Sequence, residues 1–499
     1  MKLAAVDLGA SGGRVLMGQL AEGASGARLT MEEVHRFPHG PLFLPHDRGR
    51  TLHWDVPHLW SEILAGLRKC GQRHGAPDSI GVDAWGVDFA LLDRNGALLG
   101  NPIAYRDSQT EGMVEKVCER VSRDELFRRT GLQFMQINSL FQLMALKERR
   151  WPALPLADRV LMMPDLFHYW LCGTKSVEYT IGSTSQMVGA ESRDWDVELM
   201  GQLELPTSIL PPIVQPGINL GTLRPAVAEE IGLPASVSVI CPPGHDTAAA
   251  VVATPGEGLD WAFLSAGTWC LFGAEVHSPR LDPSVLDAGF GNEGGVQNTH
   301  RLLRNITGLW LVQECRRFWA AEGTDYSYAE LAQQAAQAQP FVAMIDPDHP
   351  AFSQPTRMPQ AIADYCTRTD QRRPDSVGEV VRTALEGIAL TVRLRWEQLQ
   401  RMLGRELRVL HIVGGGTQNT LLCQFVADAL GRPVLAGPTE ATAMGNALVQ
   451  SVGHGALDYA EARKVVRRST ELREYLPRET AAWQDAYNRF VRLCHPDLR

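Results

Sequence analysis

Asp7 closes an apolar run and is followed at once by Leu8-Gly9-Ala10-Ser11-Gly12-Gly13-Arg14. Small residues let several backbone N–H groups converge on one anion, and a carboxylate just before them suits the hydration shell of a divalent cation. This is not a Walker loop, because no Lys-Ser/Thr follows the glycines, and the strand-like Val15-Leu16-Met17 stands where a dinucleotide fingerprint needs a helix. A phosphate cradle and a plain hairpin turn both fit. Ser265-Ala266-Gly267-Thr268 repeats the pattern, with a hydroxyl at its end. His411-Ile412-Val413-Gly414-Gly415-Gly416 runs a strand into three glycines, whose entropy loss on folding points to a ligand lying close to the backbone.

Three further segments offer side-chain chemistry. In Gly244-His245-Asp246-Thr247, Asp246 or Thr247 reads by residue type as an N-cap of the helix that Ala248–Ala253 continues. A carboxylate there can also take the proton of a hydroxyl attacking phosphorus. Asp83-Ala84-Trp85-Gly86-Val87-Asp88 brings an aromatic face and two carboxylates together, as a sugar site would, or simply alternates in a core strand. Asn305 and Gln313 are amides flanking a glycine turn, suited to hydroxyl or nucleotide contacts and equally to a polar surface.

The elements that must position these groups follow from apolar spacing. Leu3–Leu8 and Arg14–Leu20 read as a hairpin, with a third strand at Glu32–Phe37. Trp54–Cys70 has helical spacing, and Ile80–Leu92 reads as one strand. Helices are expected at Arg123–Arg129, Ser139–Arg150 and Val160–Leu171, and Pro206–Gly221 is a loop. Trp261–Leu264 and Trp269–Val276 form a second hairpin, a match of pattern that suggests internal duplication. Helices are expected again at Ser376–Leu403, Thr420–Leu430 and Asn446–Val452. The expected boundary divides residues 1–243 from 244–499, at Pro242-Pro243-Gly244.

With 499 residues the chain is long enough for two cores. Its net charge of −9, with Lys464, Arg467 and Arg468 only a short isolated basic group, argues against nucleic acid as a partner. The nine cysteines show no C-x-x-C spacing, so reduced buried thiols are expected. The opening Met1–Asp7 lacks the apolar core of a signal peptide, and no apolar run reaches the roughly 18 residues of a membrane span, so a cytoplasmic protein is expected.

In order, the segments AVDLGASGGR, IGVDAWGVDFALLD, GHDTA, SAGTW, NEGG, RNITGLWL, LHIVGGGTQNTLL and AGPTEATAMGNA resemble the FGGY carbohydrate kinases over nearly the whole chain. The resemblance implies an α/β fold of the actin/Hsp70 type, ribonuclease H-like, with two lobes around an ATP cleft. It implies phosphoryl transfer from ATP, with Mg2+, to the 1-hydroxyl of L-rhamnulose. By matching motif, Asp246 takes the place of the proton acceptor, which displaces the cap reading. Gly86, His245, Thr247 and Asn305 match sugar-binding positions, beside Asp83 and Trp85. Ala10, Ser11, Gly12, Gly13, Arg14, Thr268, Gln313 and Gly415 match ATP-contacting ones, and Asp7 would anchor the metal. Gly244 departs from a serine common before the His-Asp-Thr. Two alternatives stay open: a kinase of another ketose such as L-fuculose, and a catalytically silent ATP- and sugar-binding regulator. The expected partners are small molecules alone, on a monomer or homodimer.

Overall fold

A computed structural model describes residues 1–24, 26–47, 49–353 and 355–496. The chain forms two compact units, each assembled from separate stretches. The first comprises Met1–Pro255, Glu275–Leu302 and Ala441–Ser469; the second comprises Gly256–Ala274, Leu303–Glu440 and Thr470–Arg499. This partition differs from the expected division at 243/244. The Gly244–Pro255 segment, Asp246 included, lies in the first unit, and late stretches of chain return to it.

The first unit is built on strands β1 (Lys2–Gly9), β2 (Gly12–Ala21), β3 (Arg28–Pro38), β4 (Ser79–Ala84), β5 (Asn219–Thr222) and β6 (Ser238–Ile240), in the order β5-β6-β4-β1-β2-β3. β1 is antiparallel to β2 and parallel to β4, and β4 is parallel to β6. β1 is buried on both faces, as its near-continuous apolar run requires. Ala4, Val6 and Leu8 join the large core, to which helix α1 (Val56–His74) contributes Leu59, Ile63 and Leu67 at helical spacing. The alternate residue Ala5 packs with Leu16 and with Ala443 of a late helix, Ala441–Gly453. That helix approaches the Asp246–Val252 helix, here α2, so closely that a Cβ on Gly445 would stand 1.8 Å from the Ala249 carbonyl oxygen.

The second unit's strands are β7 (Trp261–Ala266), β8 (Trp269–Val276), β9 (His300–Thr307), β10 (Val409–Val413), β11 (Val434–Ala436) and β12 (Arg473–Tyr475); β8 and β9 span the boundary between units. The sheet has seven strands: Gly291–Gly294 of the first unit lies at the edge beside β9, and the order continues β9-β8-β7-β10-β11-β12, with β7 antiparallel to β8 and parallel to β10, β10 parallel to β11, and β12 antiparallel at the other edge. Each unit thus extends a hairpin with parallel strands and ends on an antiparallel edge. The duplication suggested by the two hairpins is visible in this topology. Helices α3 (Trp310–Ala321), α4 (Val377–Leu403) and α5 (Thr420–Leu430) belong to this unit, and Ala441–Gly453 of the first is α6.

Three local expectations need correction. The stretch expected as one strand, Ile80–Leu92, is two: β4 ends at Ala84 and pairing resumes at Phe89–Leu92. Val87 between them has φ 70°, a left-handed conformation that a β-branched residue rarely adopts and that interrupts regular strand pairing. The run expected to be helical from Val160 is a strand at Arg159–Met162, and the helix is Met163–Cys172, with Pro164 in its first turn. The Pro206–Gly221 loop includes most of edge strand β5, whose pairing partner arrives only after an intervening helix, Pro225–Ile231.

Candidate active site

In the first unit, register alone brings two carboxylates together. Asp7 of β1 and Asp83 of β4 are direct partners in the parallel ladder, and Asp7 is also opposite Arg14 of β2, with which it forms an ion pair. Asp83 is fully buried. Its Oδ2 accepts from Asn446 Nδ2 of α6 at 2.6 Å, and its Oδ1 has no hydrogen-bond partner. Burial first, then the charge of Asp7, hold its carboxyl well above the usual carboxylate range.

The turn between β1 and β2 has only Ala10 and Ser11 between the paired Gly9 and Gly12. Gly13 answers a packing demand: the Phe37 ring lies where its Cβ would be, 2.2 Å from the nearest ring carbon. Ala10 and Ser11 remain partly or fully exposed at the tip.

Asp246 opens α2 at its first helical position, and the N-cap is His245, whose side chain makes no capping bond. The cap reading of Asp246 therefore fails on geometry. Its carboxylate accepts from the Thr247 hydroxyl at 3.1 Å and keeps 28% of its side-chain surface accessible. It is recessed enough that burial is the largest influence on it and raises its pKa, opposed first by His245 and reinforced by Asp7. The Gly244 carbonyl accepts from the Ala84 N–H at 2.9 Å, so the segment entering α2 continues alongside the end of β4. A Cβ on Gly244 would stand 3.0 Å from Glu178 Oε2, which accepts from the Gly244 N–H at 2.7 Å.

The same bridge carries His245 to Gly86, where a Cβ would come within 3.3 Å of His245 Nε2. Gly86 is half-buried, whereas Trp85 is only 4% exposed. The Trp85 ring lies against Trp54, with centroids 4.2 Å apart, and both indole N–H groups donate to Asp88 Oδ2, at 2.9 and 2.6 Å. Burial raises Asp88 to about 6 despite these donors. Trp85 is thus anchored from behind, and Gly86 is the more accessible part of the segment.

Glu293 of the Asn-Glu-Gly-Gly motif and Arg301 are additional members of this site that residue type and spacing do not point to. In the first unit Arg301 Nη2 lies 3.0 Å from Glu293 Oε2 and 3.1 Å from His245 Nδ1. His245 Nε2 is 3.5 Å from Asp246 Oδ1. No local signal could have found these partners, which lie 48 and 56 residues beyond His245 in the chain.

In the second unit three backbone turns share one end of the sheet. The Thr268 carbonyl accepts from the Trp310 N–H at 3.1 Å, and Gly267 O accepts from the Leu309 N–H at 3.1 Å, so α3 starts against the β7–β8 turn. Gln313 lies one turn into α3, and Asn305 is on β9; both are half-buried. The three glycines after β10 differ in their reasons. Gly414 has φ 83°. Gly416 is pressed against β7, with a Cβ there 2.4 Å from that of Ala266. Gly415 faces open space, with nothing within 4 Å of a Cβ built on it.

A buried trio elsewhere, Asp165, His168 and Cys241, gathers possible metal-ligand atoms within 4.8 Å. His168 Nε2 accepts from the Val82 N–H at 3.0 Å, so the neutral ring carries its hydrogen on Nδ1 and has no lone pair for a metal. All nine cysteines are free thiols, and among the described residues no helix is long and apolar enough to cross a membrane.

Comparison defines the class first. The chain matches solved structures along its whole length: a xylulose kinase from Lactobacillus acidophilus (TM-score 0.78, 16% identity, 98% of this chain and 97% of that one) and the Plasmodium falciparum glycerol kinase with ADP (TM-score 0.73, 15% identity, 98% and 97%). The fold is therefore the α/β, actin-like architecture of these kinases. Residues 5–253 match the N-terminal domain, and 262–454 the C-terminal domain, of the FGGY family of carbohydrate kinases. The chain belongs to that family. It is 42% identical over 487 residues to a rhamnulokinase from Bacteroides thetaiotaomicron, covering 97% of this chain and 98% of that protein. It is 39% identical over 496 residues to a rhamnulokinase from Pectobacterium atrosepticum, covering 99% and 97%.

Proposed function

We propose that the chain transfers the γ-phosphoryl group of ATP to the 1-hydroxyl of L-rhamnulose, giving ADP and L-rhamnulose 1-phosphate. The observation that carries this reading is the recessed Asp246 carboxylate, with His245 at 3.5 Å, in a chain similar along its length to rhamnulokinases. The sugar oxygen bonds to the γ-phosphorus as the bond to the leaving β-phosphate oxygen breaks, and Asp246 accepts the hydroxyl proton. Gly86, His245, Thr247 and Asn305 hold the sugar, and the buried Asp83 and Trp85 shape its bed.

Ala10 to Arg14, Thr268, Gln313 and Gly415 contact ATP. Mg2+ fits the donor set: Asp7 and Asp83 are adjacent carboxylates against one arginine, and Asp83 Oδ1 lacks a partner. Asp7 would hold the ion through water, and the ion would neutralise charge on the β- and γ-phosphates. The protein works in the cytoplasm, as a monomer or homodimer.

The test is a panel of ketoses, L-rhamnulose and L-fuculose included, in an assay that couples ADP release to a colour change. Fastest turnover with L-rhamnulose supports the reading. Preference for another ketose moves the substrate, and ADP release unchanged by any sugar removes the kinase assignment.

A further inference from the structure

Behind Asp246 lies an arginine with no exposed side-chain surface. Arg301 Nε donates to the Gly294 carbonyl at 2.8 Å, and Nη2 donates to His245 Nδ1 at 3.1 Å. Glu293 Oε2 is also 3.1 Å from Nδ1, so the ring nitrogen meets a group that can only donate and one that, when ionised, can only accept. Arg301 Nη2 makes a hydrogen bond to Nδ1, and a guanidinium can only donate, so this contact requires a lone pair on Nδ1, while Glu293 Oε2 is paired with the same guanidinium at 3.0 Å. A neutral imidazole that accepts at Nδ1 carries its hydrogen on Nε2. That hydrogen is on the side of Asp246 Oδ1 and Gly86.

We infer that Arg301 is a positioning residue that holds His245 as the Nε2–H tautomer, so that the ring donates toward Asp246 and keeps this carboxylate ionised. The inference rests on the reading of Asp246 as the proton acceptor. The need is physical: burial favours the protonated acid at position 246, in which form it can accept nothing. With the opposite tautomer, a lone pair on Nε2 would face the carboxylate and favour that same inactive form.

The groups facing this pair are few. Glu293 comes from the short strand Gly291–Gly294 and Arg301 from the start of β9. Glu178 and Thr180 bond the backbone N–H groups of Gly244 and His245. Asp7 and Asp83 act on Asp246 from β1 and β4.

The direct test is 15N NMR of the full-length wild-type protein labelled at histidine, with the His245 resonance assigned by its loss in His245→Gln. A protonated Nε2 beside an unprotonated Nδ1 is expected. A protonated Nδ1, given to Glu293, overturns the inference, and this measurement needs no variant to fold at position 301.

The second readout is the pH profile of kcat/KM. The pair Arg301→Met with Glu293→Gln removes both charges together, because a lone buried carboxylate would be unfavourable. The acid limb of the double variant is expected to move up by about one pH unit, a further tenfold loss on the acid side, over a plateau changed far less. A uniform loss at every pH, with the limb unmoved, marks a structural role and overturns the proposal. Asp246→Asn separates the layers. If it is inactive while the limb stays put, only the role of Arg301 falls; if it keeps wild-type turnover, the base assignment falls and takes this inference with it.

Discussion

The two units share a topology but carry their chemistry in different materials. Around α2 the first unit gathers Asp7, Asp83, His245, Asp246, Glu293 and Arg301, a set of charged or titratable side chains whose neighbours decide their protonation. The second unit offers backbone: the turn at Gly267-Thr268, the start of α3 and the glycines after β10. Moving a proton requires side chains of tuned acidity, whereas accommodating a flat or anionic ligand requires small residues and open backbone. The glycines sharpen the contrast. Gly13 in the first unit yields to an aromatic ring, and Gly414 and Gly416 in the second to a dihedral angle and a tight contact. Gly415, between them, has nothing within 4 Å of a Cβ built on it.

The strongest test of this division is Asp246→Asn, expected to lower kcat by about 10²- to 10⁴-fold while sugar binding, read by calorimetry, persists. Near-normal turnover would break the comparison at its centre.

A second test reads buried charge as stability. The folded-state pKa of Asp88, about 6, lies above its unfolded value, so the folded state holds the proton more tightly. Between about pH 4 and 6 this group should lower stability by roughly 3 kcal/mol as pH rises, with no further change above that window. Asp88→Asn should flatten this part of the profile in urea unfolding. A wild-type profile without that fall would contradict the assigned burial.

The glycine pair after β10 separates packing from binding. Gly416→Ala should destabilise by about 1–3 kcal/mol, since its Cβ meets Ala266 at 2.4 Å. Gly415→Ala should leave stability within about 0.5 kcal/mol and raise the KM for ATP severalfold. Equal thermal shifts in the two variants would erase the distinction.

Much of this was legible in the chain. Both hairpins, the long helix Val377–Leu403 and the strand into the three glycines follow from periodicity and small-residue turns. Asp246 was visible as a carboxylate at a helix start, but its exact place was not. Composition cannot separate the N-cap from the first helical position, one residue on. The break at Val87 escaped because a β-branched apolar residue reads as strand, and its φ is held by distant partners: its N–H donates to Thr184 Oγ1 at 3.0 Å, and its carbonyl accepts from Gln142. The network of His245, Glu293 and Arg301 escaped for the same reason, since tertiary contacts of long sequence separation leave no periodic trace.

The helix Ala441–Gly453 has a consequence for how the molecule is made. Gln450 donates to the Ala4 carbonyl at 3.1 Å across 446 residues of chain, and Asn446 bonds Asp83, so β1 is completed by a helix that is made long after it. At the usual pace of synthesis, roughly 20–90 s separate the emergence of these partners. Until then Ala5 and the Ala4 carbonyl of the nascent β1 lack the partners that Ala443 and Gln450 supply.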